Sequence, residues 1–250
     1  MLQSTDLIIP DWPAPPRVQS FFTTRAGGVS TGAYRSLNLG AHVGDEPANV
    51  AENRSRLQTL LPAQPLWLNQ VHGSNVIHVD GASLSLDRPA AADASVTAQP
   101  NVPCAVLVAD CLPVLFCADD GSRVGVAHAG WRGLAGGVLE RTVDAIGKNP
   151  ARIIAWLGPA IGPNAFEVGQ EVFDTFALAA SDDASAFHPI AARPGKYLAD
   201  IYALARIRLR RMGVTAIFGG NHCTVNEPER FFSYRRDGKT GRMAGVIWLA

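Results

Sequence analysis

The sequence predicts an α/β (α+β) fold: one layered domain over residues 1–250, with mixed β-sheets flanked by helices. Three observations predict it. Cys104-Ala-Val-Leu-Val-Ala109 is an apolar, β-branched run of the kind buried on both faces of a sheet. Val114–Ala118 and Arg123–Ala127 read as strands joined by the turn Asp119-Asp-Gly-Ser122. Further on, segments with helical character alternate with strand-like ones. Hairpins and β–α units in one chain imply mixed sheets in layers.

The elements follow in order. Residues 1–16 carry several prolines, with Asp6 and Asp11, and read as an irregular extension. Val18–Thr24 reads as a strand ending in the glycine-rich turn Arg25-Ala-Gly-Gly-Val-Ser30. Pro47–Leu61 has Val50, Leu57 and Leu61 at helical spacing, with Asp45 placed to cap its start. Leu66–Leu68 and Val76–Val79 are short strands around Asn69-Gln-Val-His-Gly73. The stretches 81–94 and 181–195 read as surface loops, with Asp93 just before a strand. Asp110-Cys-Leu-Pro113 breaks the strand before it, and His128-Ala-Gly-Trp-Arg-Gly133 opens a helix running to about Lys148. Ile153–Leu157, Val214–Phe218 and Gly245–Leu249 read as strands, and Gln170–Leu178 and Ala199–Met212 as helices.

Composition removes several classes of function. Of 250 residues, 47% are hydrophobic and 18% charged, which supports a sizeable core. Lys+Arg and Asp+Glu are both 22, so the basic excess of a general nucleic-acid binder is missing. No apolar run is long enough to span a bilayer, and the N-terminal segment lacks the basic and apolar regions of a signal peptide. A cytoplasmic location is therefore expected, as a monomer or small homo-oligomer acting on small molecules. Cys104, Cys111, Cys117 and Cys223 form no C-x-x-C pair and are expected to be reduced thiols.

Three reactive side chains stand at strand ends: His72, Cys111 and His128. The hairpin after Cys111 returns the chain to its start, which can set His128 beside the thiol. One thiolate and two imidazoles suit Zn²⁺ and leave a fourth tetrahedral position open, as in catalytic sites. The same set disfavours Mg²⁺ and Ca²⁺, which take oxygen ligands. Taken singly, each residue also has a structural role open to it. Cys111 can be a core thiol, and His72 a capping residue.

The words Phe21-Phe-Thr-Thr-Arg-Ala-Gly-Gly-Val-Ser30, Asn69-Gln-Val-His-Gly73, Ala109-Asp-Cys-Leu-Pro-Val114 and Ala127-His-Ala-Gly-Trp-Arg-Gly133 resemble the YfiH/laccase-domain family. So do Leu157-Gly-Pro-Ala-Ile-Gly162 and Phe232-Ser-Tyr-Arg-Arg-Asp237, in matching order. The resemblance implies a YfiH-like fold and a His, Cys, His zinc site at His72, Cys111 and His128. It implies a purine nucleoside phosphorylase acting on adenosine, inosine and methylthioadenosine, with adenosine deaminase activity.

For that chemistry, Arg25, Arg132 and Asn69 are the candidates to hold phosphate or substrate. Arg132 lies in the first turn of a helix, where free N–H groups favour anions. Asn69 and Asp110 are placed to orient the histidines. Trp131 and Phe166 are candidates to stack a purine, and Glu167 or Glu171 to carry protons. His42, His78 and His188 read as surface or packing residues, and His222 with Cys223 as substrate contact or core.

Two rival chemistries stay open. Cys111 and His128 can form the nucleophile and base of a hydrolase, an amidase editing peptidoglycan among them. His₂Cys also accepts copper, so a polyphenol oxidase is the second rival. Against it, the six histidines include no His-x-His pair. A binding domain without catalysis is a third alternative.

Overall fold

The computed structural model of the chain describes residues 2–79 and 89–250. Its strands are β1 (Leu7–Ile8), β2 (Val18–Thr23), β3 (Val76–His78), β4 (Ala94–Thr97), β5 (Cys104–Val108), β6 (Leu112–Ala118), β7 (Val124–Ala129), β8 (Ile153–Leu157), β9 (Glu167–Gly169), β10 (Phe187–Pro189), β11 (Lys196–Ala199), β12 (Ala216–Gly219) and β13 (Met243–Leu249). The helices are α1 (Pro47–Gln58), α2 (Trp131–Ala135), α3 (Val138–Ile146), α4 (Gln170–Ala177), α5 (Ile201–Arg211) and α6 (Tyr234–Asp237).

Three mixed or antiparallel sheets result. One has the order β1-β2-β13-β5, a second β12-β8-β6-β7-β4-β3, and a small third β10-β11-β9. The first two pack face to face, and side-chain alternation shows how. Cys104, Val106 and Val108 of β5 meet Leu115 and Cys117 of β6, Val124 and Val126 of β7, and Trp156 of β8 between the sheets. Ala105 and Leu107 point the other way, toward Leu57 of α1. Leu112, Val114 and Phe116 of β6 face α3, α4 and α5 through Leu139, Phe176 and Leu204. Both faces of the central strands are buried, which is why their sequences run apolar without a break.

Several expectations change. The helix expected to reach Lys148 is broken into α2 and α3 at Gly136 and Gly137, and Gly137 has φ +85°, a left-handed value that glycine tolerates. Asp45 does not cap α1; its carboxylate accepts from Ser30 Oγ (2.6 Å) and Asn38 Nδ2 (2.9 Å). Leu66–Leu68 shrinks to one bridge, Leu66 with Cys104. The stretch 181–195 holds a 3-10 turn, Ser181–Ala186, and β10, pinned by buried Asp183 bonded to Arg211 at 2.8 Å. Residues 1–16 are not wholly irregular, because β1 pairs along β2. Of the loop expected at 81–94, residues 81–88 lie outside the described residues. Ala92 and Asp93 are buried, and Ala94 already belongs to β4.

Candidate metal centre

Cys111 lies where the chain passes from the first sheet to the second, between β5 and β6. The β6–β7 register sets Pro113 opposite His128, so the imidazole falls two residues from the thiol. β7 pairs in turn with β4, where Ala127 faces Ala94. The His128 N–H donates to the Asp93 carbonyl at 2.7 Å. β3 runs parallel to β4, which delivers the turn carrying His72 to the same end of the sheet.

Asp93 organises the centre. Its carboxylate is fully buried and accepts from three successive backbone N–H groups, those of Val71 (3.2 Å), His72 (2.9 Å) and Gly73 (2.7 Å). This nest holds His72 at φ +58°, which a histidine seldom adopts. The same carboxylate lies 2.8 Å from His128 Nδ1. With Nδ1–H donated to Asp93, His128 keeps Nε2 for a ligand.

The ligand atoms of His72, Cys111 and His128 lie within 4.8 Å of one another. Cys111 Sγ is 3.8 Å from His72 Nε2, and the two imidazoles meet edge-on with centroids 4.8 Å apart. Tetrahedral zinc would separate a sulfur and a nitrogen ligand by about 3.6 Å, so the spacing fits. Gly130 keeps the space open: a Cβ there would stand 2.9 Å from both Cys111 Sγ and His72 Cδ2. A Cβ on Gly133 would likewise meet the Gly73 carbonyl at 2.8 Å.

Electrostatics sharpen the group. Burial alone would push the Cys111 thiol up, but His128 and then His72 outweigh it and bring it down to about 6. Burial would lower His128, yet the charges and hydrogen bonds of Cys111 and Asp93 raise it to about 9. Burial also works against charge on Asp93, and the bonds from His128, Gly73 and Val71 still hold its carboxyl below the ordinary value. Without metal the three form a thiolate–imidazolium–carboxylate chain. His128 Nε2 would have to give up its proton to hold a metal cation.

Cys111 borders two clefts. One of about 380 Å³ is lined by His42, Gln70, His72, His128 and Arg242. The other, about 260 Å³, is lined by Trp131, Arg132, Phe166, Ile201 and Arg235. Cys111 and Tyr234 border both. A cleft of about 500 Å³ between α1 and Trp67 contains none of the three candidate ligands.

The structure sorts the sequence-derived candidates. Arg132 lies on the second cleft, stacked on Trp131 with 4.4 Å from guanidinium carbon to ring centroid. Phe166 joins them there. Arg25 is not brought to either cleft; it donates to the carbonyls of Arg35 (2.8 Å) and Pro228 (2.9 Å) and lies over Phe232. Among the described residues, no hydrogen bond joins Asn69 or Asp110 to an imidazole. The Asn69 backbone pairs with the Ala90–Ala92 segment. Asp110, at φ +81°, accepts from Thr224 Oγ1 (2.5 Å) and Arg235 N (2.6 Å), which ties down the Tyr234–Arg235 segment lining the cleft that Cys111 borders. Glu167 is paired with Arg193, and neither it nor Glu171 lines either cleft. His42, read from the sequence as surface or packing, borders the metal-side cleft, as does Arg242. His42 sits in no chemical motif, so only tertiary contact reveals it. Arg242 lies just past the Phe232–Asp237 segment, whose two consecutive arginines were the available signal.

Comparison with known proteins shows the family. Residues 19–250 match the family described as multi-copper polyphenol oxidoreductase laccase. A purine nucleoside phosphorylase of Pseudomonas aeruginosa is 55% identical over 97% of this chain and 98% of its own length. The purine nucleoside phosphorylase YfiH of Escherichia coli is also 55% identical, over the same shares. A Neisseria meningitidis crystal structure superposes with TM-score 0.92 at 54% identity, covering 98% of this chain and 99% of that one. A Bacillus licheniformis hypothetical protein, YfiH, does so at 0.91 and 34%, covering 100% and 98%. Among the described residues, no helix is long and apolar enough to cross a membrane. By motif, by sequence identity along nearly its whole length and by fold, the chain belongs to the YfiH/laccase-domain family.

Proposed function

We propose that this chain is a zinc-dependent purine nucleoside phosphorylase. It cleaves adenosine, inosine and methylthioadenosine with phosphate, giving free base and ribose 1-phosphate, and deaminates adenosine at the same centre. The observation that carries the reading is the convergence of His72, Cys111 and His128 beside two clefts, in a chain 55% identical to proteins named purine nucleoside phosphorylase. The centre is catalytic in this reading because His72 stays exposed and open cleft adjoins the ligands.

In phosphorolysis the bond between the purine nitrogen and C1′ breaks, a phosphate oxygen bonds to C1′, and the departing base takes up a proton. His72, Cys111 and His128 would hold the zinc, which would supply a Lewis acid there. The chain's own residues do the rest. Trp131 and Phe166 offer aromatic faces for the purine, and Arg132 caps that slot with a cation. Tyr234, about 61% exposed, stands between the clefts, where it can cover a bound nucleoside. Asp93 holds both histidines in place through every step.

The test is one incubation of zinc-loaded protein with inosine, with and without phosphate. Phosphate-dependent release of hypoxanthine supports the reading. A second reading is favoured by the Cys111–His128–Asp93 chain, which is also the arrangement of a cysteine hydrolase. Amide hydrolysis on a muropeptide precursor by metal-free protein, without hypoxanthine release, selects that alternative. Phenol oxidation that persists after zinc repletion would select a copper enzyme.

A further inference from the structure

Arg242 precedes β13 and is anchored at its backbone, where its N–H donates to buried Asn38 Oδ1 at 2.9 Å. Its Nη1 donates to the carbonyls of Thr240 and Gly241, both at 3.0 Å. Nε and Nη2 have no protein partner among the described residues, and the side chain borders the cleft beside the three ligands. The segment that carries His42 wraps the same side chain, since a Cβ on Gly40 would stand 2.8 Å from Arg242 Cγ. The backbone and stem thus hold the guanidinium while half of its donor fork stays free.

The surroundings favour an anion. No carboxylate borders this cleft among the described residues, and its one group that can turn anionic, Cys111, belongs to the candidate metal ligands. His42 lies in it, where burial, then the positive charges of Arg242 and Arg54, lower its proton affinity. Arg54 is itself held by a bond to the Leu39 carbonyl at 2.9 Å and by stacking on Trp67. Gln70 is spent on Leu107, donating to its carbonyl at 2.8 Å and accepting its N–H at 2.7 Å. A planar guanidinium with two free donor nitrogens matches two oxygens of a phosphate, and a neutral imidazole adds one N–H.

We infer that Arg242 and His42 form an oxyanion site for inorganic phosphate, in a cleft that shares Cys111 with the Trp131–Phe166 slot but is distinct from it. The choice of phosphate rests on the phosphorolysis reading; the anion site itself rests on this geometry. The division seats the two substrates in separate clefts that meet at Cys111 and removes Arg25 and Arg132 from the phosphate role.

Inorganic phosphate titrated into the whole protein, metal-free and zinc-loaded, tests this through ³¹P line width and calorimetry. Arg242→Gln is expected to weaken phosphate binding about tenfold or more, the loss of a bidentate charged contact. His42→Gln, at an exposed position, is expected to weaken it by roughly threefold while melting with the parent. Arg242→Lys keeps a point charge and should recover part of the loss. Arg132→Gln and Arg25→Gln should leave the phosphate Kd unchanged. The inference is overturned if the parent binds no phosphate, if the Arg242 and His42 variants bind it like the parent, or if Arg132→Gln is the variant that loses it. Phosphate-dependent hypoxanthine release whose KM for phosphate ignores Arg242 also overturns it and leaves phosphorolysis standing. Phosphate bound through Arg242 without any such release retires phosphorolysis and keeps the site.

Discussion

At His72, Cys111 and His128, side chains from three separate segments aim at one point. At His222 and Cys223, two neighbours just past β12 turn apart. His222 Nδ1 lies 3.1 Å from Glu227 Oε2, and Cys223 Sγ accepts the Gly162 N–H at 3.3 Å. Both groups hold a histidine, a cysteine and an acid, yet only the first forms a compact three-ligand set among the described residues. The contrast teaches that reactive residue types do not make a centre. Adjacent residues in extended chain diverge, whereas residues from paired strands can be brought together by register. At the first group Asp93 binds both histidines. At the second, Glu227 spends its oxygens on His222 and the Cys223 N–H at 2.9 Å, which stitches a loop.

Breaking each group in turn tests that contrast. The largest effect is expected for Cys111→Ala, which should abolish both stoichiometric zinc and phosphorolysis, by metal analysis and base release. Cys223→Ala should keep both and lose only about 1 kcal/mol of stability, the worth of one weak hydrogen bond. Full activity in Cys111→Ala would remove the centre from the mechanism.

Asp93→Asn comes next. It should reduce zinc affinity by about 10- to 100-fold, because the groups that orient metal-bound histidines carry that much. Competition with a chromogenic chelator measures it, and an unchanged affinity would show that the ligands hold themselves in place. Gly130→Ala should follow at about tenfold or less, since a methyl 2.9 Å from Cys111 Sγ and His72 Cδ2 must push one of them aside. Chelator competition at an unaltered melting temperature separates this from misfolding.

The smallest perturbation is chemical. In metal-free protein carrying Cys223→Ala, iodoacetamide should alkylate Cys111 at pH 7 and spare Cys104 and Cys117. Cys111 is brought down to about 6, so it is thiolate above that pH and its labelling should fade as pH falls through it. Burial pushes Cys104 and Cys117 up to about 12, where they stay protonated. Zinc should block the reaction at Cys111. Equal labelling of all three thiols by mass spectrometry would contradict this assignment of charge.

The sequence alone was enough for the layered α/β class, the β6–β7 hairpin and the identity of the three convergent residues. Apolar period and turn chemistry are local properties, and the strand ends they imply are where His72, Cys111 and His128 stand. It also singled out Trp131 and Phe166, which the structure brings to one cleft. Tertiary structure decided the remainder. Asp93 lies 35 residues from His128 in the chain, yet its carboxylate sits 2.8 Å from that imidazole through β4–β7 pairing. Asp110 proved to tie down Arg235, 125 residues away, instead of orienting a histidine. His42 and Arg242 meet only because two remote loops fold over the same cleft. Side-chain period reports which face a residue takes within its own element. It carries no information on what lies opposite, and a binding site is made of what lies opposite.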